Sequence, residues 1–155
     1  MNWEAIGAIG ELLGAAAVIA TLGYLAFQLR QNNKLLAAQA RYSLTVQRAG
    51  VIDSFLAPNV LEATQKYAAG EDVTPAERGA ALVIALKIVE MWEWQYGEYR
   101  AGMLEREELP VKAWRVWYRG EGEVPSPIRE VWETRKKIVS PDFALFFEEN
   151  VVNGR

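Results

Sequence analysis

The sequence predicts an all-α protein in which a single N-terminal transmembrane helix continues into a small helical bundle domain. Between Ala5 and Leu29 the chain runs for twenty-five residues with one charge, Glu11, and a polar Gln28 near the end. Three later segments open with Ser or Thr followed by Pro, at Thr74-Pro75, Ser126-Pro127 and Ser140-Pro141, and this cap-then-proline order marks a first helical turn. No stretch alternates apolar and polar residues for long enough to compete as a strand.

At about 1.5 Å per residue, the apolar run makes a helix of roughly 37 Å, enough to cross a hydrocarbon core of about 30 Å with some tilt. Trp3 stands at one end and Tyr24 and Phe27 at the other, where interfacial aromatics belong. Glu11 and the alanine-rich composition also fit a buried core helix of a soluble bundle. A cleaved signal peptide fits less well, because nothing basic precedes the run and Ala38-Gln39-Ala40 lies beyond Arg30 and Lys34. Glu4 flanks the amino side, and Arg30, Lys34 and Arg41 flank the carboxyl side. The positive-inside bias therefore predicts the N-terminus out and the C-terminal domain in the cytoplasm. Gly7, Gly10, Gly14, Ala17 and Thr21 form a small-residue series containing a GxxxG spacing, which favours helix association in lipid, in a homo-oligomer or as a subunit of a larger membrane complex. Glu11 beside Gly10 is either a polar partner contact or a carboxylate that snorkels to the interface.

Residues 31–49 contain neither Gly nor Pro, so the helix is expected to continue. It exposes Lys34, Arg41 and Arg48 on one face, and with Arg30 these serve as a topology signal or as ligands for lipid head groups. The expected organisation is an anchor over 1–30, a basic juxtamembrane helix over 31–50 and a cytoplasmic helical domain over 51–155. Helices are expected at 3–49 (with a possible break near 50), 51–68, 75–101, 105–119, 127–138 and 141–151, with a loop at 120–125. The charge follows this division: residues 1–48 carry four basic against two acidic groups, net +2, and residues 49–155 carry thirteen against eighteen, net −5. The expected core draws on Leu82, Ala85, Leu86, Val89, Trp92, Tyr96 and Tyr99, then Trp114, Trp117 and Tyr118, then Phe143, Phe146, Phe147 and Val151.

The chain has no cysteine and no histidine. That removes disulfide frameworks, Ser-His-Asp triads, haem ligation by those residues, the usual zinc sites and the Glu-x-x-His pairs of di-iron bundles. No cofactor or metal is implied, and the acidic main domain disfavours nucleic acid. Glu93 lies beside the aromatic stripe and reads either as a buried polar hub with Tyr96, Arg100 and Arg135 or as a general acid. Three functions are therefore carried: a membrane-anchored interaction or accessory subunit, an oligomeric pore using Glu11, and a membrane-bound enzyme using Glu93.

The opening MNWEAIGAIGELLGAAAVIATLGYLAFQLRQNN, the middle MWEWQYGEYRAGML and the late VWETRKKIVSPDFALFFEE resemble a widespread family of small bacterial inner-membrane-anchored proteins of unknown function. On that resemblance Glu93, Tyr96, Gly102, Leu104, Trp132, Arg135, Ser140, Pro141 and Phe143 take the family's positions, and Trp94 and Gly97 depart from it. The resemblance implies a membrane anchor and a helical domain at the bacterial inner membrane, and no particular activity.

Overall fold

The computed structural model describes residues 3–120 and 126–154, and among them every regular element is helical. The helices are α1 (Trp3–Leu56), α2 (Pro58–Ala69), α3 (Pro75–Arg100), α4 (Val111–Arg119), α5 (Pro127–Arg135) and α6 (Pro141–Phe147). A 3-10 turn, Arg106–Glu108, precedes α4, and a π turn, Glu148–Val152, extends α6. The chain divides within α1 into two compact units, Met1–Gln39 and Ala40–Arg155. Residues 121–125 of the expected loop lie outside the described residues.

Proline sets the boundaries that differ from expectation. Gly50 does not break α1; the break falls at Ala57, which is extended at ψ 128° ahead of Pro58. A helical glycine costs about 1 kcal/mol, whereas proline removes a donor and excludes the preceding residue from the α region. The same rule splits the helix expected over 105–119: Leu109, at ψ 113°, precedes Pro110, so only a 3-10 turn lies before α4. α5 stops at Arg135, and residues 136–138 form a turn that delivers buried Val139 to the core. Thr74 and Glu77 cap α3 reciprocally, and Ser126 caps α5 through the Ile128 N–H.

In the first unit, every described side chain from Ile6 to Leu36 is exposed, including Leu12 at 73% and Ile19 at 71%. The second unit is built on aromatic packing. Trp92 of α3 stacks on Trp114 of α4 at 5.3 Å, Trp132 of α5 meets Phe147 of α6 at 4.2 Å, and Tyr96 meets Phe146 at 4.7 Å. Ile84, Ile88, Val89, Ile128 and Val151 fill the spaces between them. The core face of α3 is rotated from expectation: Ala81, Ile84 and Ile88 are buried, whereas Leu82, Leu86 and Tyr99 are half-buried and Trp117 of α4 is 49% exposed.

Polar pairs fix α2, α3 and α5 to one another. Lys66 bonds Glu77 at 2.6 Å and Glu62 at 2.9 Å. Glu130 accepts from Tyr67 and Arg78, both at 2.5 Å. Burial, with Glu130 second, pushes the Tyr67 phenol up to about 12. The Lys66 ammonium, helped by the Thr74 N–H and hydroxyl, holds the Glu77 carboxyl down at about 2.

Two outcomes follow. A depressed carboxyl adds stability that is complete above its ordinary 4.5 and is lost as pH falls through about 2. Acid titration of urea midpoints from pH 5 to pH 2 is therefore expected to cost the wild type more than Glu77→Gln. Phe147→Ala or Trp132→Ala, each removing a fully buried ring, is expected to cost about 3–5 kcal/mol in denaturation followed by tryptophan or far-ultraviolet signal.

Candidate functional site

The residues singled out in the sequence fall into two places, each within its own unit. On the membrane-type stretch of α1, Gly7, Gly10 and Gly14 are exposed, and a Cβ at any of them would meet nothing within 4 Å. Ala17 and Thr21 continue the same face, and the Thr21 hydroxyl donates back to the Ala17 carbonyl at 2.8 Å, which satisfies it without a partner helix. Glu11 is exposed four residues on from Gly7, at the edge of this face. Arg30 and Lys34 are exposed where the apolar run ends.

Arg41 and Arg48 differ from that pair. Arg41 gives Nε and Nη2 to the two oxygens of Glu108, at 2.7 and 3.0 Å, in the two-pronged geometry that suits a carboxylate. The guanidinium, with the Glu105 N–H, holds the Glu108 carboxyl below its ordinary range, and Glu108 raises Arg41 in turn. Arg41 is thus engaged within its own domain, tying α1 to the turn after α3, and is not free for a head group as expected. Arg48 is half-exposed on the same domain.

The expected hub of Glu93, Tyr96, Arg100 and Arg135 is not one buried cluster. Three of the four meet at a shallow groove of about 490 Å³ between α3 and the start of α6, lined also by Gly97, Ser140, Pro141 and Asp142. Glu93 is half-buried and accepts the Ser140 backbone N–H at 3.0 Å, so it is tied to the chain just ahead of α6. Tyr96 is buried in the aromatic core, and its hydroxyl accepts from Arg100 at 3.1 Å. Arg100 is exposed and pairs with Asp142 at 2.9 Å at the rim of the groove, and the Tyr96 hydroxyl, with Asp142 behind it, raises the guanidinium above its ordinary value. Arg135 lies elsewhere, bonded at 3.0 Å to Glu90. The spacing drew attention to Glu93, but the arginine partner expected for it goes to Glu90, one helical turn earlier on α3.

Chemically, the groove presents one tied carboxylate, one ion pair and an aromatic wall. Among the described residues, no three acidic side chains converge as a metal would require. Asp142 and Glu108 were missed in the sequence. Asp142 was legible as the third residue of the Ser140-Pro141-Asp142 helix start, whereas Glu108 depends on a fold contact 67 residues away. Comparison with family models, with curated proteins and with solved structures finds no match to this chain.

A structural role for Glu93 predicts that Glu93→Ala, which orphans the Ser140 N–H, costs about 1 kcal/mol in chemical denaturation. Glu93→Gln, which keeps an acceptor oxygen, is expected to retain most of that stability.

Proposed function

We propose that this chain is a single-pass membrane protein whose helical domain acts as an interaction or accessory subunit. One observation carries the reading: a helix long and apolar enough to cross a membrane has, from Ile6 to Leu36, every described side chain exposed. Ten large apolar side chains lie on that stretch between Ile6 and Leu29: Ile6, Ile9, Leu12, Leu13, Val18, Ile19, Leu22, Leu25, Phe27 and Leu29. Leaving them in water forfeits on the order of 15–30 kcal/mol of burial, more than a domain's whole net stability. Lipid is the solvent that recovers it, and a soluble-core helix would instead be packed against its own chain.

The flanking charges supply the orientation. Glu4 precedes the apolar run, and Arg30 and Lys34 follow it with exposed side chains. The N-terminus is therefore outside and the helical domain cytoplasmic, with anionic lipid head groups meeting Arg30 and Lys34. The sequence resemblance to anchored bacterial proteins is what supports the bacterial inner membrane as its location. The face of Gly7, Gly10, Gly14, Ala17 and Thr21 suits close packing against another membrane helix, from a second copy or from a larger membrane complex. In the groove, Glu93 holds the Ser140 N–H and Arg100 is paired with Asp142, an arrangement that suits assembly better than acid-base chemistry.

Sodium carbonate washing of membranes is expected to leave the protein in the pellet; its release into the supernatant would remove the anchor. Protease added to intact spheroplasts is expected to spare the domain, and its digestion would reverse the orientation.

A further inference from the structure

α3 carries apolar side chains on more than one face, interrupted by charges such as Lys87, Glu90, Glu93 and Glu98, and an apolar helix face normally lies inside a protein. One face does so, with Ala81, Ile84, Ala85, Ile88, Val89, Trp92 and Tyr96 in the core. The opposite face does not. There Gly79, Val83, Lys87, Glu90, Trp94 and Gly97 recur at intervals of three and four residues and form one stripe. All are exposed except half-buried Trp94, and Val83 is 56% exposed. Grooves of about 210 Å³ beside Gly79 and Val83, walled on the other side by Ser54 of α1 and Val60 of α2, and about 460 Å³ beside Lys87, Glu90 and Trp94, walled by Gln47, Gly50 and Val51 of α1, run along it.

The glycines are unexplained by the chain's own packing. Each sits inside a helix, at a cost of about 1 kcal/mol relative to alanine, yet a Cβ at Gly79 or Gly97 would meet nothing within 4 Å. Lys87 donates to the Ser54 hydroxyl at 3.2 Å and makes no ion pair among the described residues.

The stripe has the same character read in either direction: glycine, apolar side chain, charge, opposite charge, apolar side chain, glycine. Turned end over end about a point between Ile88 and Val89, it sets Val83 opposite Trp94 and Lys87 opposite Glu90, and brings Gly79 within one residue of the position opposite Gly97. We propose that this face of α3 is a two-fold interface on which a second copy of the chain packs its own α3 antiparallel. Small residues then meet small ones, the apolar side chains meet, and each Lys87 meets the partner's Glu90. This is the self-complementarity a two-fold contact requires, since whatever residue i touches must be touched in return. Arg135 donates to Oε1 of Glu90, and Oε2 takes the incoming ammonium. The inference concerns the domain alone and stands apart from association through the membrane helix.

The chain has no cysteine, so introduced thiols report on the pairing directly. Full-length chains carrying Val83→Cys and Trp94→Cys, co-expressed and oxidised in mild detergent, are expected to form the mixed disulfide dimer. Either variant alone is expected to form little, because like positions in the antiparallel pair lie eleven residues apart. That is roughly 16 Å along the helix, beyond the ~7 Å Cα reach of a disulfide. Absence of the mixed disulfide, or like-with-like dimers as abundant as mixed ones, would overturn the proposal. Val83→Glu, at an exposed position that leaves the core intact, is expected to raise the dimer dissociation constant at least about ten-fold in a Gly14→Leu background. A Gly14→Leu chain that is already monomeric, or a dimer indifferent to Val83→Glu, would equally sink the α3 interface.

Discussion

Apolar surface must leave water, and this chain carries more of it than its own core can take up. Residues 40–120 and 126–154 close around Trp92, Trp114, Trp132, Phe143 and Phe147, whose stacked and edge-on contacts bring α3, α4, α5 and α6 together. That cluster consumes one face of α3 and one side of each short helix. The large aliphatic side chains between Ile6 and Leu29 remain uncovered, as does Val83 on the outer stripe of α3. Both the membrane reading and the pairing of copies follow from the same imbalance between apolar surface and the core available to bury it.

Charged pairs among the described residues of the domain position its helices. Glu77 and Thr74 define where α3 begins, Glu130 gathers α2, α3 and α5 through Tyr67 and Arg78, and Glu108 receives Arg41 from α1. Glu93 follows the same pattern with the Ser140 N–H. Most of these pairs are solvent-exposed, so each contributes modestly to stability, and their combined effect is to fix which helix ends meet. In the α3–α6 groove Glu93 is met by the Ser140 N–H and Arg100 by Asp142.

Much of the architecture was legible because its signals are local. The Thr74-Pro75, Ser126-Pro127 and Ser140-Pro141 starts each open a helix, and the uninterrupted apolar run is one helix. The errors were of two kinds. Gly50 was weighed as a breaker where Pro58 and Pro110 proved decisive, although Pro110 inside a helical pattern was itself visible. On α3, Ala85, Val89, Trp92 and Tyr96 are in the core as expected, whereas Leu82, Leu86 and Tyr99 sit at its edge, because Ala81, Ile84 and Ile88 extend the apolar face and periodicity alone did not fix its limits. In the groove, Tyr96 and Glu93 were legible as an aromatic beside an acid. The assignment of Arg135 to Glu90 and of Arg41 to Glu108 was not, because each joins residues 45 or more positions apart that only the fold brings together.

The account rests on lipid covering the helix between Ile6 and Leu29, and labelling of single cysteines in native membranes tests that most directly. In inside-out vesicles, a membrane-impermeant maleimide is expected to label Lys34→Cys readily and to leave Ile19→Cys unlabelled until the membrane is dissolved in denaturing detergent. Labelling of Ile19→Cys as fast as Lys34→Cys in intact vesicles would contradict the account.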